Sequence, residues 1–131
     1  MTRPRSPILT EGELRLMNIL WDKGAATVRE VANALPEDQS LAYTTVLTTL
    51  QTLEKKGFLR HEKQDQDRAF IYHPVVDRNE ARRSAVRYIV SRFFNGSPEL
   101  LVLNILEHEE LDSQELQYLK QLLEEEEEVK R

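Results

Sequence analysis

The stretch Leu41-Ala42-Tyr43-Thr44-Thr45-Val46-Leu47-Thr48-Thr49-Leu50-Gln51-Thr52-Leu53-Glu54-Lys55-Lys56-Gly57-Phe58-Leu59, with its continuation to Pro74, decides the fold. Val46, Leu50 and Leu53 recur at helical spacing and define one apolar face. The opposite face shows Thr44, Thr45, Thr48, Gln51, Thr52 and Lys55. Counting Thr49, the helix holds five threonines, a poor choice for a solvated helix because β-branched side chains lose rotamer freedom there. They suit a helix that approaches another surface closely. The DNA major groove is such a surface, where hydroxyls meet base edges and methyls meet the thymine methyl. Lys56-Gly57 stops the helix.

Downstream, Phe58-Leu59-Arg60-His61-Glu62-Lys63 and Arg68-Ala69-Phe70-Ile71-Tyr72-His73 predict two strands, with Gln64-Asp65-Gln66-Asp67 as the hairpin tip and Pro74 as the stop. Upstream, Thr10-Glu11-Gly12-Glu13 and Thr27-Val28-Arg29-Glu30 both have capping-box spacing. The first opens a helix expected to turn Leu14, Met17, Leu20 and Trp21 inward and to end at Gly24. The second opens a helix with Val28, Val31, Ala32 and Leu35 on its apolar face. Pro36 to Ser40 is a turn. Helix, helix, turn, helix, then hairpin is the order of a winged helix-turn-helix, assigned here to residues 1–75.

Residues 76–131 read as helices only. Asp77 starts one with Ala81, Ala85, Val86, Ile89, Val90 and Phe93 apolar. Asn95-Gly96-Ser97-Pro98 breaks it, Ser97 being an N-cap and Pro98 a first helical residue. Leu100 to Leu106 is almost wholly apolar, and Asp112 starts a last helix with Leu116, Leu119, Leu122 and Leu123 on one face. A helix as apolar as residues 100–106 is not left in water. Three short helices make a thin core alone, so two copies are expected to pack together. Ile89, Phe93, Leu101, Leu103, Leu106, Leu116 and Leu119 are the expected dimerisation residues. The expected fold class is mainly α with a small β-wing.

The 131 residues carry a net charge of −5, which does not favour nucleic acid. The acidity lies in the C-terminal part, mainly in Glu124 to Glu128. Cysteine is absent, which excludes disulfides and thiolate metal sites. No apolar run approaches a membrane span or a signal peptide, so a cytoplasmic protein without membrane insertion is expected. His61, His73 and His108 lack ligand spacing. With no nucleophile constellation or phosphate-binding glycine loop, neither an enzyme, a cofactor nor a metal is expected.

From Ile8 to Leu123 the chain resembles the penicillinase-repressor family, the BlaI/MecI type with copper-responsive CopY relatives. The match lies in ordered groups: Leu14-x-x-Met17-x-x-Leu20-Trp21, Val28-x-x-Val31, Tyr43-Thr44-Thr45-Val46, Leu50-x-x-Leu53-x-x-Lys56-Gly57, Arg68 to Pro74, Leu101-Val102-Leu103-Asn104 and Leu111-Asp112-x-x-Glu115-Leu116. The resemblance implies a homodimeric bacterial repressor on palindromic operator DNA, often of β-lactamase or related genes. It implies release by cleavage, triggered by a membrane-bound sensor metalloprotease. The family's cut follows an Asn in the apolar helix. The matching bond here is Asn104–Ile105, with Ile105 where well-known relatives carry Phe. The copper-responsive branch carries a C-terminal cysteine cluster that this chain lacks.

The candidate DNA-binding residues are Tyr43, Thr44, Thr45, Thr48 and Thr49 on the third helix, and Arg60, Lys63 and Arg68 on the wing. The plain alternative is a solvated threonine face and strand cations in weak surface pairs. Arg3 and Arg5 read as a tail, and Lys55 and Lys56 as cations suited to a helix C-terminus. Arg82, Arg83, Arg87 and Arg92 either meet the acidic tail or form an exposed basic face. Two rival readings stay open: a ligand-responsive winged-helix regulator, and a winged helix used for protein–protein contact.

Overall fold

Thr10 and Glu13 open helix α1 (Glu11–Lys23) by capping each other: the Glu13 N–H donates to Thr10 Oγ1 at 3.1 Å, and the Thr10 N–H to Glu13 Oε1 at 2.8 Å. Thr27 and Glu30 repeat the arrangement at helix α2 (Val28–Ala34). A single 3-10 turn, Glu37–Gln39, leads into helix α3 (Tyr43–Lys55), whose N-cap Ala42 has no side-chain cap bond. The computed structural model describes residues 7–64, 69–108 and 110–130. Arg3, Arg5 and Arg68, and most of the expected hairpin tip, lie outside them.

Helix α3 ends in a Schellman motif. The Phe58 N–H donates to the Leu53 carbonyl and the Gly57 N–H to the Glu54 carbonyl, each at 3.0 Å. Gly57 has φ +89°, which a side chain rarely adopts, and this lets the chain turn straight into the wing. Strands β2 (Leu59–Lys63) and β3 (Phe70–Pro74) pair antiparallel, with His61 opposite Tyr72 and Lys63 opposite Phe70.

The sheet has a third member that the hairpin reading omitted. Strand β1 (Ala26–Thr27) pairs with β3, giving the order β1-β3-β2. Two residues carry no readable alternation. Thr27 both pairs with Ile71 and caps α2, so its sequence signal is the cap alone.

The core joins Leu16, Met17 and Leu20 of α1, Val28, Val31 and Leu35 around α2, Val46, Leu50 and Leu53 of α3, and Phe58, Leu59 and Tyr72. The expected inward role of Leu14 is corrected: it is 42% exposed, and Leu16 is fully buried instead. The buried stripe Glu13, Leu16, Met17, Leu20 has i, i+3, i+4, i+7 spacing, and Leu14 falls one position off it. Trp21 is half-buried, its indole N–H donating to the Val76 carbonyl at 2.8 Å.

Helices α4 (Arg78–Phe93), α5 (Pro98–His108) and α6 (Ser113–Lys130) follow. Asp77, Ser97 and Asp112 cap their first turns by accepting from the N–H groups of Glu80, Leu100 and Glu115. Internal contacts divide the chain into two compact units, Met1–Ile89 and Val90–Arg131. Ala81 of α4 belongs to the core of the first. In the second unit α5 has no buried residue, and Val102, Leu103, Ile105 and Leu106 are all exposed.

Candidate nucleic-acid interface

Val46, Leu50 and Leu53 of α3 are fully buried and Leu47 is half-buried, which fixes the rotation of the helix about its axis. Thr44, Thr45, Thr48, Gln51 and Lys55 are consequently exposed. Tyr43 falls on the side of Val46 and Leu50 but is 52% exposed as the first residue of the helix, where it lines the groove beside the sheet. Thr49 and Thr52 lie at the margin and are half-buried. Of the five recognition-helix candidates, Thr44, Thr45 and Thr48 therefore share the open face, Thr49 borders it, and Tyr43 is exposed at the helix start.

The hydroxyls of this face differ along the helix. Thr48 Oγ1 donates to the Thr44 carbonyl and Thr49 Oγ1 to the Thr45 carbonyl, each at 2.9 Å, and Thr52 Oγ1 to the Thr48 carbonyl at 3.0 Å. Among the described residues, the hydroxyls of Thr44 and Thr45 have no such acceptor.

A groove of about 1140 Å³ runs between α3 and the sheet. Leu47 and Tyr72 contribute apolar wall, while Arg29, Gln51 and Lys55 bring polar groups to it. His61 Nδ1 meets Glu54 Oε1 across this groove, so the wing is tied to the last turns of α3. The His61 ring also packs edge-on against Phe70, with centroids 4.9 Å apart. Burial pushes the Tyr72 hydroxyl's pKa up, and the nearby Glu54 carboxylate and Tyr43 add to this.

Arg60 and Lys63 are exposed on β2. Arg60 lies 3.6 Å from Glu62, and Glu62 also meets His73 at 3.0 Å. The wing therefore mixes charges rather than forming a purely basic edge.

Two features escape sequence reading. Arg29 lines the groove although it sits on α2, and the Glu54–His61 pair joins a helix to a strand with no periodic signal. Lys56 stands at the C-cap of α3 and has a further partner that spacing does not reveal. Its ammonium donates to Glu13 Oε1 at 2.8 Å, joining the end of α3 to the start of α1. Lys55 remains exposed in the last turn of α3.

Among the described residues no group of His, Asp or Glu could hold a metal ion, and no helix is long and apolar enough to cross a membrane. The three histidines instead each face a glutamate: His61 with Glu54, His73 with Glu62 and His108 with Glu107.

Comparison with known proteins agrees with this winged-helix geometry. The chain is 33% identical over 119 residues to a penicillinase repressor of Bacillus licheniformis, covering 91% of each. It is 25% identical over 115 residues to the methicillin resistance regulatory protein MecI of Staphylococcus aureus, covering 88% of this chain and 92% of that one. The solution structure of the DNA-binding domain of the repressor BlaI is similar with a TM-score of 0.50 and 29% identity, covering 60% of this chain and 93% of that one. A complex structure of hsRosR-S4 shares the fold at a TM-score of 0.53 and 15% identity, over 98% of this chain and all of that one. The penicillinase repressor family matches residues 9–125. The chain therefore belongs to the penicillinase repressor family of winged-helix transcriptional repressors, which are not enzymes.

Proposed function

We propose that this repressor acts as a homodimer on palindromic operator DNA, with residues 1–75 reading the duplex and residues 76–131 joining the two copies. The observation that carries the reading is the open face of α3, where Thr44, Thr45 and Thr48 are exposed, with Tyr43 exposed at the helix start, while the apolar face is sealed in the core. A helix so oriented enters a major groove with its N-terminal half. Thr49 borders the contact, and Arg60, Lys63 and Arg68 of the wing reach phosphates. Wing cations near phosphate add affinity without sequence preference.

The dimer reading is supported by exposure. Phe93 is 77% exposed and Leu103 44%, and Leu106, Leu116 and Leu119 are exposed too, with Ile89 and Leu101 half-buried. Apolar faces of this extent mark an interface. Release follows from cutting Asn104–Ile105 in α5, by a membrane-bound sensor metalloprotease. Loss of the second copy then weakens DNA binding, because linked half-sites profit from high effective concentration. The regulated genes are of the β-lactamase type or related to it, a reading that rests on the names of the relatives.

The test is a gel shift with the full chain on DNA upstream of its own reading frame. Thr48→Glu places a carboxylate against a polyanion, so affinity is expected to fall by about 100-fold or more while the far-UV circular dichroism is unchanged. Unaltered affinity removes α3 from the interface.

A second reading has one observation in its favour. A cleft of about 360 Å³ lies between α1 and α4, lined by Leu14, Trp21, Arg78, Ala81 and Ala85. A ligand-responsive repressor would use such a space, and a small-molecule screen for release from the operator fragment tests it.

A further inference from the structure

The α3 face offers two chemistries to a base edge, hydroxyl and methyl, and the geometry points to the methyl as the part that reads. We infer that Thr48, with Thr52 beside it, recognises the C5-methyl of thymine, while Thr44 and Thr45 serve as hydrogen-bond donors. This rests on the proposal that α3 enters the major groove.

The Thr48 and Thr52 hydroxyls already donate to carbonyls one turn back, at 2.9 Å and 3.0 Å. Each hydroxyl carries a single donor hydrogen. Turning it toward a base exchanges one hydrogen bond for another, with little net gain. With the Oγ1 proton committed to the preceding turn, the side chain offers an approaching surface its methyl and, as an acceptor only, its oxygen. Thr48 is exposed on the open face of α3. In the major groove the apolar feature is the thymine methyl.

Thr44 and Thr45 stand in the first turn of α3, and among the described residues their hydroxyls find no acceptor. Their donors are available to phosphate oxygens or base acceptors. One residue type thus performs two tasks, divided by whether a helical carbonyl lies one turn behind it.

The experiment begins with selection of bound duplexes from a random pool by the full chain. The selected duplex is then remade with uracil for thymine, one position at a time, which removes only the methyl. At the thymine facing Thr48 the loss is expected to be about three- to fourfold, the worth of one buried methyl. Thr48→Val keeps the methyl and loses the hydroxyl, and is expected to keep the roughly three- to fourfold preference for the thymine duplex over the uracil one. Thr48→Ser loses the methyl, and is expected to bind about three- to fourfold more weakly on the thymine duplex and no differently from the parent on the uracil duplex. Circular dichroism of both variants confirms the helix. Loss of the thymine preference with Val and its retention with Ser, or no uracil effect at any position, overturns the methyl reading while leaving α3 in the groove. Insensitivity to Thr48→Glu, or a selection that enriches no sequence, removes the groove reading and this inference together.

Discussion

Glu13 accepts from two partners through one carboxylate oxygen, the Thr10 N–H and the Lys56 ammonium, both at 2.8 Å. Burial pushes its carboxyl pKa up, but the bonds from Lys56 and Thr10 outweigh this and hold it below the ordinary 4.5. A depressed carboxylate contributes stability that is present above the unfolded-state value and is lost as pH falls through the folded one. Glu13→Gln is therefore expected to lower stability by about 1–3 kcal/mol near neutral pH, since it leaves the partly buried Lys56 without its anion. In urea melts the gap between parent and variant should narrow progressively below pH 4.5. A gap independent of pH would show that the charge plays no part. On the wing, Lys63→Ala should weaken binding to all sequences alike and reduce the magnitude of the salt slope by about 1. A parental slope would place Lys63 away from phosphate. The capping acids were legible in the sequence because their partners lie three residues away. The Glu13–Lys56 pair was not, because 43 residues separate its members and only the tertiary fold brings them together.

Among the elements, α3 was the most legible, because its three buried residues alone determine which side chains it exposes. In α1, leucines at 14 and 16 both fit a loose apolar pattern, and spacing alone does not choose between the two phases. Chemical denaturation separates them: Leu16→Ala should cost about 2–5 kcal/mol and Leu14→Ala less than about 1 kcal/mol. Equal losses would contradict the burial pattern. At the end of α3, a Cβ on Gly57 would meet nothing within 4 Å, so Gly57→Ala is expected to cost the strain of a positive φ alone, about 1–3 kcal/mol. Strand β1 left no pattern to read, because its Thr27 is also an N-cap. The Glu54–His61 tie was hidden for a related reason: strand residues and helix residues follow different periods, and their meeting is set by the turn at Gly57.

At the scale of the whole molecule, the proposed function couples the open face of α3, placed against DNA, to an apolar C-terminal region placed against a second copy. Leu103→Glu with Leu106→Glu is expected to give a single-chain mass in sedimentation equilibrium and to weaken operator binding by about 100- to 10,000-fold, while leaving the first unit folded. A dimer that survives both changes would move the interface elsewhere. The charge of the whole chain misled about nucleic acid, because the acidic run Glu124 to Glu128 dominates a sum in which the N-terminal part is balanced. The most direct measurement is hydroxyl-radical footprinting of the full chain on the DNA upstream of its reading frame. Two dyad-related protected tracts are predicted, their centres about one duplex turn (~34 Å) or a multiple apart, and both lost with Thr48→Glu. A single tract, or protection that Thr48→Glu leaves in place, would contradict the account.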